Sequence, residues 1–277
     1  MTSTTQVKTE PGDSLLTRYG DGLGDLWRAL QHWELWGIIG WLEVSQRYRR
    51  SIIGPFWITL SLGFVVLGLG VVYSTLFRLS AAEYIPYLAT GLIAWSFIST
   101  LVNDSCTTFV AAESSIKMLP VPLSVYVYRM VWRNLIILAH NAVVYILLIF
   151  YFRINPGWGA LLSLVGITLV SINGVGFGLI LGVLSARFRD IPLMIANGVQ
   201  LVFFVTPILW RPATLASREW IYQYNPFHYM IEVVRGPLLG EMPSGAAWAA
   251  VMVFTAANLA IGLALFGRFR WRIAYWV

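Results

Sequence analysis

Six stretches without Asp, Glu, Lys or Arg punctuate the chain: residues 55–77, 84–103, 134–152, 154–186, 191–210 and 246–267. Each can cover the roughly 30 Å of bilayer hydrocarbon as a helix at 1.5 Å per residue. In lipid only a helix or a closed barrel satisfies its own backbone, and these runs lack the ~10-residue alternation of barrel strands. The pattern predicts an all-α polytopic membrane protein with six transmembrane helices. The fourth run is longer than needed, with Pro156 and Gly157 outside the bilayer. Ahead of the first run, Leu26, Trp27, Leu30, Trp33, Ile38, Trp41 and Leu42 recur at helical spacing among Arg28, Glu34 and Glu43. With tryptophans at 27, 33, 36 and 41, residues 25–50 read as an amphipathic helix lying in the headgroup layer. A helix packed on its own protein is the alternative. Gly20, Gly22 and Gly24 predict a loop just before it. The expected division is a flexible cytoplasmic tail (1–24), the interfacial helix (25–50) and a six-span permease domain (51–277).

The two longer connections differ from the short ones. Within 104–133, Glu113-Ser114-Ser115-Ile116-Lys117-Met118-Leu119-Pro120-Val121-Pro122 predicts a short helix stopped by two prolines. Within 211–245, residues 220–229 are aromatic-rich, and 230–239 are apolar but too short to span. A re-entrant or interfacial hairpin between spans five and six is the natural form.

Composition agrees. The chain is 58% hydrophobic and 12% charged, with a mean hydropathy of +0.70, against about 25% charged in soluble domains. Its net charge of +6 reflects depletion of acids as much as excess base, and is not read as nucleic-acid binding. Placing both termini in the cytoplasm puts Lys8, Arg18, Arg28, Arg47, Arg49, Arg50, Lys117, Arg129, Arg133, Arg187, Arg189, Arg268, Arg270 and Arg272 inside. Arg78, Arg153, Arg211, Arg218 and Arg235 then lie outside. Basic residues favour the cytoplasmic side, so this orientation is expected. Residues 1–13 are polar, so no cleaved signal peptide is expected there. Cys106 is the only cysteine, which excludes a disulfide and a Cys-based metal framework within one chain.

The chemistry of an enzyme is missing from the pattern. There is no G-x-S-x-G, no H-E-x-x-H and no paired intramembrane aspartate. His140 reads as a neutral interhelical histidine, and Asn141, Asn173, Asn197, Gln200 and Asn258 as interhelical hydrogen-bonding groups or pore lining. The spans carry no acid at mid-depth, which argues against a proton- or sodium-coupled carrier. The only lysines, Lys8 and Lys117, follow no Gly-rich loop, so the chain is expected not to hydrolyse ATP.

Four stretches resemble one family. Arg47-Tyr48-Arg49-Arg50-Ser51-x-Ile53-Gly54-Pro55-x-Trp57 is similar to the signature before the first span of type 2 ABC exporter permeases that move cell-surface polysaccharides (O-antigen, capsule and wall teichoic acid exporters). Ile116-Lys117-x-x-Pro120-x-Pro122 resembles their coupling region, and Arg187-Phe188-Arg189-Asp190-Ile191 their R-[FY]-R-D-I stretch between spans four and five. Asn225-Pro226-x-His228-Tyr229-x-Ile231-Glu232-x-x-Arg235 resembles the segment before span six. One departure is Glu43-Val44, where the family usually carries a basic residue before the Arg-Tyr pair; another is the long N-terminal tail.

The resemblance implies a permease subunit in a bacterial cytoplasmic membrane, itself no enzyme. It implies a homodimer with two copies of a separate ATPase that binds ATP and Mg²⁺, no cofactor in this chain, and a lipid-linked glycan moving along the dimer interface between spans one and five. Trp57, Phe64, Tyr73, Phe77, Phe203, Phe204 and Trp210 become candidates to stack on sugar faces, or packing and interface anchors. Arg47, Arg49 and Arg50 become candidates for the pyrophosphate of a polyprenyl carrier, or anchors on an anionic leaflet. Glu113, Ser115, Ile116, Lys117, Pro120 and Pro122 would dock the ATPase, beside the cytoplasmic turn of Arg187, Arg189 and Asp190. Trp220, Tyr222, Tyr224, Asn225, Pro226, His228, Glu232 and Arg235 would form an outer gate or a passive cap. Two other readings remain: a membrane glycan-modifying enzyme using His228, Glu232 and Arg235, and a small-molecule permease of the same superfamily.

Overall fold

The computed structural model describes residues 15–47, 49, 51, 53–54, 56–212 and 220–277, with residues 15–19 described by backbone alone. Every regular element among them is helical: α1 (Leu15–Gln31), α2 (Trp33–Arg47), α3 (Phe56–Leu76), α4 (Ala81–Thr107), α5 (Glu113–Met118), α6 (Ser124–Phe152), α7 (Leu162–Arg187), α8 (Ile191–Val205), α9 (Trp220–Gln223), α10 (Pro226–Leu238) and α11 (Gly245–Trp276). Short 3₁₀ turns at Val110–Ala112 and Trp158–Leu161 precede α5 and α7. Five segments are long and apolar enough to cross a bilayer: α3, α4, α6, α11, and α7 with the turn leading into it.

The bundle is built around α4. In its most apolar window 78% of residues are buried, against 17% for α3, so α4 is the hub and α3 lies at the edge. Tyr84, Leu88, Ile98 and Leu101 of α4 pack with Met130 of α6, Val170 of α7, Met230 and Ile231 of α10 and Val251 of α11. A second cluster closes the other end, where Phe109, Val127, Leu179, Phe266 and Ile273 meet. Small residues let the helices approach, as lipid offers no hydrophobic drive between them. A Cβ at Gly166 of α7 would sit 2.6 Å from the Val233 carbonyl oxygen of α10. Intramembrane amides act as interhelical partners: Asn173 donates to Thr255 Oγ1 at 2.6 Å, and Asn258 to Asn173 Oδ1 at 3.0 Å. Asn197 and Gln200 are exposed on α8. His140 Nδ1 lies 2.8 Å from the Ile136 carbonyl oxygen, within its own helix.

The structure departs from the sequence expectation in four places. The loop expected over Gly20–Gly24, and the boundary drawn at residue 24, fall inside α1. Gly22 is where α1 meets α11: its Cβ position is 3.5 Å from Gly267 Cα, so the glycine serves close packing rather than a turn. Within the stretch expected as one helix, residues 25–47 are parts of two, broken at His32, with α2 docked on α6 and α1 on α11. The connection taken as 104–133 is mostly helix, because α4 runs on to Thr107 and α6 begins at Ser124. The run 191–210 is helical only to Val205. Its 15 residues reach about 22 Å, short of the ~30 Å hydrocarbon core.

Candidate coupling surface, basic cleft and outer segment

The short helix expected at 113–122 is α5, ended by the extended Leu119 and by Pro120 and Pro122. Glu113 and Lys117 form an i,i+4 pair at 2.7 Å, which pulls the Glu113 carboxyl below its ordinary range. Lys117 Nζ also donates to the Val277 carbonyl at 2.8 Å. Ile116 packs into the second core cluster, while Ser115 is half-buried and Met118 and Leu119 are exposed. The turn of Arg187, Phe188, Arg189 and Asp190 is exposed alongside. Arg187 lies 5.7 Å over the Trp276 ring, and Arg189 donates to the Trp276 carbonyl at 3.4 Å. The end of α11 thus joins α5 and the 187–190 turn into one face.

Arg47 ends α2 and lines a cleft of about 430 Å³ with Glu43, Val44, Gln46, Arg133 and Ile137. Arg49 sits in an exposed turn, its N–H donating to the Gln46 carbonyl at 3.3 Å. Arg50 lies outside the described residues. Sequence reading missed the network beneath. Arg133 pairs with Glu43 at 2.8 Å and Asp104 at 2.7 Å, and Arg129 with Glu43 at 3.2 Å. Glu43, an acid where a base was expected, is the counter-ion of two α6 arginines. Their i,i+4 spacing, Arg129 and Arg133, is the signal that a shared acid was needed.

The aromatic candidates divide. Phe64 is 68% exposed, Phe204 60% and Trp57 53%, so all three are open on the surface of the chain. Tyr73 and Phe77 pair at 5.6 Å, Phe77 reaches Tyr84 at 6.3 Å, and Phe203 lies on Trp95 at 5.7 Å. Trp210 donates to the Phe204 carbonyl at 3.2 Å and meets Tyr222 at 6.1 Å. These four pack within the chain. Both α3 and α8 lie against α4, and no α8 residue is buried. Behind α8, an apolar crevice of about 300 Å³ runs between Trp95, Phe177, Gly198 and Phe227.

Residues 220–238 form two successive helices, α9 and α10, joined at Tyr224 and Asn225. Trp220 and Tyr224 are exposed. Asn225 caps α10, its Oδ1 accepting from Phe227 N at 3.0 Å, and Pro226 follows at the first helical position. Its Nδ2 donates to Thr206 Oγ1 at 2.8 Å. His228 is 6% exposed, 4.9 Å from Tyr222 and 3.4 Å from Glu232. Burial, with Arg235 adding to it, pushes the His228 imidazole down to about 4; burial pushes the Glu232 carboxyl up. Arg235 turns the other way. Its Nη1 donates to the Pro207 carbonyl at 2.7 Å, and its guanidinium lies 4.1 Å over the Tyr87 ring. His228 and Glu232 thus pair with each other, while the Arg235 guanidinium is engaged by Pro207 and Tyr87.

The profile of the ABC-2 type transporter family matches residues 34–239, spanning α2 to α10. The chain belongs to this family. Similar proteins include an O-antigen export system permease protein, RfbA, of Klebsiella pneumoniae, 26% identical over 238 residues (84% of this chain, 90% of that protein). The polysialic acid transport protein KpsM of Escherichia coli is 25% identical over 236 residues, 81% of this chain and 89% of that one. An RfbA of Myxococcus xanthus is 22% identical over 187 residues, 66% of this chain and 72% of that one. The chain is thus a multi-pass membrane permease. The family match takes in α5 and the 187–190 turn, whose juxtaposition with the end of α11 was invisible in the linear order.

Proposed function

We propose that this ABC-2 permease is the membrane subunit of an exporter that moves a lipid-linked cell-surface polysaccharide out of a bacterial cytoplasm. ATP and Mg²⁺ are held by a separate ATPase, two copies of which join two copies of this chain. Both termini are cytoplasmic, α8 makes the fifth of six crossings, α1 and α2 line the headgroup layer, and the α9–α10 hairpin is the re-entrant outer gate. The observation that carries the reading is the exposed face of α5 and the 187–190 turn, a firm place for a partner to push. The names of the similar permeases supply the substrate class.

In this reading the exposed aromatic faces of α3 and α8 line the glycan path between two protomers. Trp57, Phe64 and Phe204 are the residues free to stack on sugar rings; Tyr73, Phe77, Phe203 and Trp210 hold their shape. Arg47, Arg49 and Arg50 meet the carrier pyrophosphate as bidentate donors.

The test is co-purification of the ATPase and its reconstitution with this chain in vesicles. ATP-dependent glycan export, absent without the ATPase, supports the reading; uphill movement of a solute by this chain alone removes it. Crosslinking from Ser115 must reach the ATPase. Triple Arg→Lys replacement at 47, 49 and 50 keeps charge but weakens phosphate capture, so unchanged export would assign those arginines to anchoring.

A further inference from the structure

Non-helical backbone at membrane depth persists only where protein satisfies its polar groups, each of which costs several kcal/mol if left bare. Residues 206–210, following α8, are non-helical and enclosed by protein: Thr206 and Ile208 are almost wholly buried. Side chains from two other helices cover its carbonyls. Tyr84 of α4 donates to Leu209 O at 2.6 Å. Tyr87 of α4 donates to Pro207 O at 3.2 Å and to Trp210 O at 3.1 Å. Arg235 of α10 donates to Pro207 O at 2.7 Å.

Arg235 is the expensive member. It is 6% exposed and makes no ion pair with a carboxylate among the described residues. A buried guanidinium is costly to desolvate unless its N–H groups find partners. Here its planar fork does two things at once, donating to Pro207 O while lying on the Tyr87 ring, which an ammonium group cannot reproduce. Gly91 of α4 leaves the space: a Cβ there would be 3.4 Å from Arg235 Nη1. The backing of α10 is rigid, through the Gly166–Val233 approach.

The other end of α8 starts at Asp190, in the exposed turn beside α5. Between its two ends the helix buries no residue and stands before the apolar crevice. We propose that Arg235, with Tyr84 and Tyr87, is a positioning clamp that holds the outer end of α8 as a fixed pivot while the rest of the helix swings in transport. The inference rests on the export reading for what the swing accomplishes, but not for the clamp itself. A push received at 187–190 then becomes rotation about 206–210 instead of sliding of the whole helix.

Spin labels test it in a Cys106→Ser background, in the full chain alone and in complex with its ATPase. One pair, Val205→Cys with Trp158→Cys, reports the outer end of α8. The other, Leu193→Cys with Trp271→Cys, reports the cytoplasmic end. The clamp predicts that the inner distance shifts between nucleotide-free and ATP-trapped complexes while the outer one stays within its width. In the chain alone, Arg235→Met and the double variant Tyr84→Phe/Tyr87→Phe should broaden the outer distribution, and Arg235→Lys should narrow it part of the way back. In the complex these variants should continue to hydrolyse ATP while export falls at least about tenfold, the effect of losing one or two buried hydrogen bonds. An outer distance that moves as much as the inner one overturns the proposal, as does an unbroadened distribution in the variants. Equal losses of hydrolysis and export with a lowered unfolding temperature would assign the clamp to stability alone. If the wild-type complex exports no glycan, the export reading fails, and the chain-alone distances still decide the clamp.

Discussion

The Asp25 carboxylate on α1 accepts two hydrogen bonds from Ser124, the first residue of α6: one from the backbone N–H at 2.9 Å and one from Oγ at 2.7 Å. The residues are 99 apart in sequence. The first N–H groups of a helix have no partner within it and carry the positive end of its dipole. Leu123 precedes α6 and offers no side-chain acceptor, so the cap is supplied from α1. Asp25 also lies 3.9 Å from Arg270 Nη1, which donates to the Asp21 carbonyl at 2.7 Å. One carboxylate thereby ties α1 to the start of α6 and to the C-terminal part of α11.

Replacing Asp25 with Ala should cost about 1–3 kcal/mol, since a buried cap is lost and Ser124 is left unpaired. Ser124→Ala should cost less, because only the Oγ bond goes. Thermal unfolding in detergent, read as the midpoint, checks both; equal, negligible shifts would contradict the cap.

Gly166→Ala should destabilise by about 1–3 kcal/mol, because the added methyl meets the Val233 backbone, which cannot rotate aside. Gly63→Ala and Gly68→Ala on α3 face no atom within 4 Å, and should be neutral or mildly stabilising in a helix. Expression level and unfolding midpoint of the three variants, measured side by side, are the readout.

Arg133→Ala leaves Glu43 and Asp104 without the guanidinium that separates them. Breaking a partly buried pair costs about 2–4 kcal/mol. Adding Glu43→Gln and Asp104→Asn to the same variant should recover part of the loss. Two double-mutant cycles on unfolding midpoints, Arg133 with Glu43 and Arg133 with Asp104, measure the two couplings.

The His228 contribution to the stability of α10 should be lost on acidification. His228 titrates at about 4 in the folded chain against 6.5 ordinarily, so the unfolded state takes up the proton first. Its contribution is intact above pH 6.5 and falls progressively between pH 6.5 and 4. Glu232 runs oppositely: its raised value favours the fold below the ordinary carboxyl range and loses that contribution as pH rises through the folded value. His228→Gln should remove the loss that sets in as pH falls below 6.5, and Glu232→Gln the opposing loss that sets in as pH rises above 4.5.

Five span positions were legible because each is a local property: a long run without charges has one stable place, and helix is its backbone solution. The α5 helix was legible for the same reason, with its prolines marking the stop. What misled was also local. Gly22 signals a turn by itself, yet in α1 it is the notch that receives Gly267. Residues 206–210 read as more helix because they are apolar, and the donors that let them unwind, Tyr84, Tyr87 and Arg235, lie far away in the chain. Of the site residues, the Glu113–Lys117 pair and the Asn225 cap on Phe227 are local, whereas Arg235 acts through Pro207 and Tyr87 and Glu43 through α6.

Sequence alone determined the class of this protein: charge-free runs long enough to cross lipid, basic residues at their ends, and no nucleotide or catalytic motif. Those are statements about transfer between water and hydrocarbon, which depend on composition over ~20 residues. Only the tertiary structure decided where α8 stops, which carboxylate caps α6, which acid answers Arg129 and Arg133, and which aromatics stay exposed. Each of those rests on a hydrogen bond, ion pair or close contact between distant segments, whose energy exists only once the helices have met.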